Sequence, residues 1–151
     1  MIREQIKAKL IESMKAKDEQ ATGTLRLINA AIKDKDIEAR PKGNPNGIDD
    51  SAVMSLLQSM IKQRKESIEM YRQGHRDDLA AKEQAEVDII QSFLPQQMTE
   101  EEMKVAIREV ITQTGATSVK DMGKVMGTVK AKYAGRMDMG RASGLIKAAL
   151  A

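Results

Sequence analysis

Few of the 151 residues have the type and spacing that catalysis requires. A hydrolytic triad needs a histidine beside a nucleophile, but His75 is the sole histidine and sits in GHRDD with no partner identified by the sequence. It is expected to be a turn residue preceding a helix. The adjacent acids Asp49-Asp50 and Asp77-Asp78 have the composition of metal ligands or of an acid pair. Both pairs stand at expected helix starts, where carboxylates face the positive end of the helix dipole, so capping is the stronger reading. With no cysteine there is no disulfide framework, thiolate zinc site or cysteine nucleophile. No catalytic residue, metal ligand or cofactor is therefore assigned.

Two other groups remain. Arg64, Glu83 and Glu86 fall on or near the apolar faces of two expected helices, where unpaired charges are costly, so an ion-pair network is expected ahead of a binding site. The second group lies at the C-terminal end. Five of the ten glycines fall between Gly123 and Gly144, a stretch that also holds Lys124, Lys130, Lys132, Arg136 and Arg141 against Asp138 alone. Glycine weakens a helix interior by roughly 1 kcal/mol relative to alanine, so glycines at helical spacing suggest close approach of another helix or of a phosphate backbone. Gly123 and Gly127 form a GxxxG pattern with no preceding strand, which favours helix packing first and RNA approach second.

Charge distribution sharpens this. Residues 1–95 hold 16 Lys and Arg against 16 Asp and Glu, residues 96–114 hold 2 against 4, and residues 115–151 hold 7 against 2. A balanced body with a basic end points to an anionic partner more than an evenly spread net +3 would, although lysine-rich solvated faces are also common. Three aromatics (Tyr71, Phe93 and Tyr133) are too few for a platform that stacks single-stranded bases. The longest uncharged runs, 51–61 and 89–99, fall short of the roughly 20 residues of a membrane span, and the N-terminus lacks the apolar core of a secretory signal. A soluble, cytoplasmic protein with no membrane partner is expected.

The elements that must position these residues are helical throughout. Ile2, Ile6, Leu10 and Met14, then Leu25, Ile28 and Ile32, give two amphipathic helices broken near Asp18 to Gly23. RPKGNPNGIDD, residues 40–50, is an exposed loop. A third helix opens with Asp50 or Ser51 as N-cap, buries Val53, Leu57, Met60, Ile61, Ile68 and Tyr71, and stops at Gly74. A fourth runs from Asp77 or Asp78 to Phe93, before Leu94 and Pro95. Thr99 and Glu102 have capping-box spacing for a fifth, from Glu100 to Thr114, which ends at Gly115. Ser118 caps a sixth carrying Met122, Val125, Met126 and Val129; Gly135 breaks it, and a seventh from Met139 contains Leu145, Ile146, Ala149 and Leu150. The expected fold is all-α: an N-terminal helical bundle of about four helices over 1–95, then a smaller three-helix C-terminal subdomain over 96–151.

KQRKESIEMY, GHRDDLAAKEQAE and FLPQQMTEEE, within residues 62–102, look like the hallmark of the YqeY family. GATSVKDMGKVMGTVKAKYAGRMD also resembles the tail domain at the C-terminus of GatB, the B subunit of the glutamine-dependent aspartyl/glutamyl-tRNA amidotransferase. The resemblance covers essentially the whole chain. It implies a helical bundle followed by a helical tail domain, and a family label of carbon-nitrogen ligase with glutamine as amido donor. In the amidotransferase the tail engages the tRNA while other parts perform the chemistry. A chain of this length holds only the tail-like part, so no amidation is expected from it alone.

The resulting expectation is a module that binds tRNA or another structured RNA. Lys120, Lys124, Lys130, Lys132, Arg136, Arg141 and Lys147 would contact phosphates, while Gly123, Gly127 and Gly135 would allow close backbone approach. The alternative is a helical protein–protein interaction module in translation, docking through the third helix or the GxxxG face.

Overall fold

The computed structural model describes all of residues 1–151, and it is built from seven α-helices without a β-strand. They are α1 (Ile2–Lys15), α2 (Glu19–Ala39), α3 (Asp50–Gln73), α4 (Asp77–Gln91), α5 (Glu100–Thr114), α6 (Met122–Lys132) and α7 (Met139–Leu150). Short 3₁₀ turns follow α2 at Arg40–Lys42 and precede α6 at Val119–Asp121. The chain separates into two compact units, Met1–Leu94 with α1 to α4 and Pro95–Ala151 with α5 to α7. Each has its own apolar core.

In the N-terminal unit the apolar stripes meet. Ile6, Leu25, Ile28, Val53, Leu57 and Ile90 are fully buried, with Ile61, Ile68 and Val87 beside them and Tyr71 partly buried. At roughly 1.5–3 kcal/mol for each fully buried large aliphatic side chain, this interior is the main force holding the four helices together. Met14 lies outside the expected stripe, 51% exposed, because α1 stops one residue later and the chain turns through Lys17 at φ 56°. Gly23 is not in that turn. Asp18 caps α2 by accepting from the Ala21 N–H at 3.1 Å, so Gly23 falls within the helix, with nothing within 4 Å of where a Cβ would stand.

The other boundaries follow local capping chemistry. Asp49, rather than Asp50 or Ser51, caps α3 through the Ala52 N–H at 2.9 Å. Gly74 ends that helix with an ordinary negative φ, and the left-handed residue is the exposed His75 at φ 56°. Asp77 and Asp78 occupy the first turn of α4 after Arg76, and Asp78 pairs with Arg76 at 3.2 Å. That helix ends at Gln91, short of Phe93.

The C-terminal unit packs Ile107, Val110, Val125, Val129, Met137, Ala142 and Ile146 into its core. Thr99 and Glu102 form the reciprocal capping box, and Gly115 closes α5 in the left-handed region at φ 69°. Ser118 opens the 3₁₀ turn rather than α6 itself, again through a reciprocal box, with Asp121. On α7, Ala142, Ile146 and Leu150 are buried and Ala149 is exposed, while Met137 just before the helix takes a core position.

Candidate nucleic-acid interface

The seven basic residues of the C-terminal unit divide into two sets. Lys124 Nζ donates to the Thr114 carbonyl at 3.0 Å and Lys132 Nζ to Gln113 Oε1 at 3.2 Å, so both lean on the C-terminal end of α5, where cations meet the negative end of the helix dipole. Arg136 Nε donates to the Gln96 carbonyl at 3.2 Å, and Arg141 pairs with Glu100. By contrast, Lys120, Lys130 and Lys147 are exposed and belong to no ion pair.

The glycines divide in a parallel way. Gly123 and Gly127 lie on the exposed side of α6 with nothing within 4 Å of an added Cβ. The expected tight packing of another helix on this GxxxG pair is therefore not found in the fold. The apolar residues that hold α6 in the core, Val125 and Val129, lie on the opposite side of the helix. Ala131 continues the exposed small-residue stripe at the same four-residue interval. Gly135 plays another part: it is buried at φ 76°, and its carbonyl accepts from Gln97 Nε2 at 2.5 Å. Next to it, the Met98 N–H donates to the Arg136 carbonyl at 2.8 Å, so this turn is stitched to the segment before α5.

Two carboxylates complete the electrostatics. The Thr99 backbone N–H, followed by the Thr99 hydroxyl, holds the Glu102 carboxyl below its ordinary range, and the Thr117 and Ser118 N–H groups do the same for Asp121. Both acids serve as caps, Glu102 at the start of α5 and Asp121 in the turn before α6.

In the N-terminal unit a few charges are partly buried, and they pair with one another. Arg64 Nε donates to Glu86 at 2.9 Å and stands 4.0 Å from Glu83; the three side chains are 15%, 14% and 25% exposed. The network expected from their positions is thus present. A second knot had no sequence signal. Arg3 grips Asp36 with two bonds, of 2.8 and 2.5 Å, and reaches the Ile48 carbonyl at 2.7 Å, while the Ile48 N–H donates to Asp36 Oδ1 at 2.9 Å. It joins α1, α2 and the loop before α3 across separations of 33 and 12 residues, which no local pattern reveals. The Arg3 guanidinium, acting first through its hydrogen bond, holds the Asp36 carboxyl below its usual range. A carboxyl lowered on folding stabilises the fold above the ordinary carboxylate pKa, and that contribution is lost as pH falls through the folded value.

Nothing in the described side chains converges as an acid–base pair on a nucleophile. His75 is exposed in the turn between α3 and α4, the acid pairs stand at the starts of α3 and α4, and no three His, Asp or Glu side chains group as a metal site. A groove of about 740 Å³ between α2 and α4 is floored by Gly23, Leu27, Ala81 and Ala85, and its Glu86 is committed to Arg64.

The family model described as Yqey-like protein matches residues 3–150, and the chain belongs to that family. Among its relatives is the altered inheritance of mitochondria protein 41, mitochondrial, of Pyrenophora tritici-repentis, 33% identical over 132 residues that span 84% of this chain and 70% of the relative. The protein of the same name from Saccharomyces cerevisiae is 35% identical over 100 residues, 66% of this chain and 52% of its own length. That from Lachancea thermotolerans is 33% identical over 110 residues, 72% of this chain and 57% of its own. The chain thus spans only about half the length of the latter two. These relatives are named as mitochondrial, which overturns the cytoplasmic expectation. The features behind that expectation bear on secretion and membrane spanning only; no helix is long and apolar enough to cross a membrane, and this does not distinguish internal compartments.

Proposed function

We propose that the chain is a helical module that binds structured RNA, tRNA foremost, through the outer face of α6 and α7, with no catalytic site of its own. The observation that carries this reading is the set of exposed lysines free of ion pairs, Lys120 on the turn before α6, Lys130 on α6 and Lys147 on α7, in the unit that also carries the open glycine stripe of α6. Phosphate contacts need hydrated cations that can exchange counterions, and a bare helix backbone lets a sugar-phosphate chain come close. Lys124, Lys132, Arg136 and Arg141, whose donors already serve the fold, add to the local field. The resemblance of this segment to the amidotransferase tail domain gives the reading its RNA class.

Titrating labelled tRNA with the full chain at several salt concentrations tests it. Binding should weaken steeply as salt rises, and changing Lys120, Lys130 and Lys147 together to glutamate should reduce the log–log slope by at least about 2, since each lost phosphate contact removes roughly 0.7–0.9. An unchanged slope would remove this face as the contact surface.

A further inference from the structure

Two exposed helix stripes in this chain are complementary in both charge and apolar content. Of the large hydrophobic side chains left exposed, Ile11 on α1 (55% exposed) is the one with lysines both four residues before and four after it, Lys7 and Lys15. Val105 on α5 (51% exposed) is the one with glutamates at both positions, Glu101 and Glu109. Residues four apart share a helix face, so each is a straight stripe about 12 Å long, one reading basic–apolar–basic and the other acidic–apolar–acidic. Val105 and its two glutamates line a cleft of about 400 Å³ with Met98, Glu102, Ala106 and Tyr133, in which Met98, Ala106 and Tyr133 offer an incoming aliphatic side chain apolar contact. Lys7, Lys15 and Glu109 belong to no ion pair, and Glu101 has only the half-buried Lys104 at 3.7 Å.

We propose that the α1 stripe of one copy of this chain docks on the α5 stripe of a second copy, with Ile11 over Val105 and the two lysines at the two glutamates. The match lies in the order of charge and apolar character along each stripe, which a basic or apolar surface of another kind would not reproduce. Arg108 on α5 and Glu4 and Glu12 on α1 flank the stripes with opposite signs and so help fix the register. Two helical turns bury far less than the roughly 1,200 Å² of a stable complex, so the association is weak and salt-sensitive. The proposal does not depend on the RNA-binding reading.

Sedimentation velocity on nucleic-acid-free full chain, at low salt and up to about 1 mM, the range of weak interfaces, tests the contact. The wild-type sedimentation coefficient should rise with concentration. The variants Lys7→Glu/Lys15→Glu and Glu101→Lys/Glu109→Lys, which change only solvent-exposed positions, should each stay monomeric with wild-type circular dichroism. An equimolar mixture of the two should associate again, because each supplies the charge that the other now lacks. A monomeric wild type, self-association of either variant at the wild-type level, or a mixture that stays monomeric would each overturn the proposal.

Discussion

The two units handle charge and glycine in opposite ways. In the N-terminal unit the charges up to residue 95 cancel, and the partly buried ones tie helices to one another: Arg64 to Glu86 and Glu83, and Arg3 to Asp36 and Ile48. In the C-terminal unit Arg141 pairs with Glu100, Lys124, Lys132 and Arg136 lean on carbonyl and amide oxygens, and Lys120, Lys130 and Lys147 are exposed outside any ion pair. Glycine differs in the same sense. A Cβ on Gly47 would stand 2.3 Å from Asp36 Oδ1 and 3.1 Å from Arg3 Nη2, at φ +88°, whereas a Cβ on Gly127 would meet nothing within 4 Å. The same residue type fits around a charge knot in one unit and leaves a helix surface bare in the other. Residue identity alone therefore does not say which glycines the fold needs.

The sharpest way to break this comparison is at Arg64. Arg64→Met removes the cation from two half-sequestered carboxylates, and we expect a loss of about 3 kcal/mol in urea unfolding, toward the low end for broken buried pairs. Adding Glu83→Gln and Glu86→Gln should restore part of it; a loss below about 1 kcal/mol would place this network with ordinary surface pairs.

Gly47→Ala comes next. A left-handed alanine and a displaced Asp36 carboxylate should together cost about 2–3 kcal/mol, read as a lowered urea midpoint. Gly127→Ala should act in the opposite direction, raising stability by about 0.5–1 kcal/mol because alanine is the better helix former and the space is open. If that variant stabilises the fold yet weakens tRNA binding, the glycine serves backbone approach. If it lowers stability, the exposed stripe packs against something and the contrast with Gly47 disappears.

Much of the fold was legible because its signals are local. Four-residue apolar spacing locates α1 and α2, and Thr99 with Glu102 marks the start of α5, since capping involves residues three positions apart. Boundaries slipped where neighbouring residues compete for the same role, as Asp49 did with Asp50 and Ser51, and where His75 took the left-handed position beside Gly74. The charged triad on α3 and α4 was legible for another reason: polar residues on apolar faces must find partners. Its individual pairings were not, nor was the knot of Arg3 with Asp36, because partners 33 residues apart leave no periodic trace.

At the candidate interface the sequence determined the cation excess and its confinement to the C-terminal end, since composition and order along the chain fix both. It also determined the helical register that sets Gly123 and Gly127 on one side of α6. Tertiary structure decided which way that side faces, and hence that these glycines are bare rather than packed. It also decided that Lys124, Lys132, Arg136 and Arg141 find partners within their own unit while Lys120, Lys130 and Lys147 do not. The physical reason is that a hydrogen bond or a desolvated surface depends on which distant atoms come within a few ångströms, and only the packed chain specifies those neighbours.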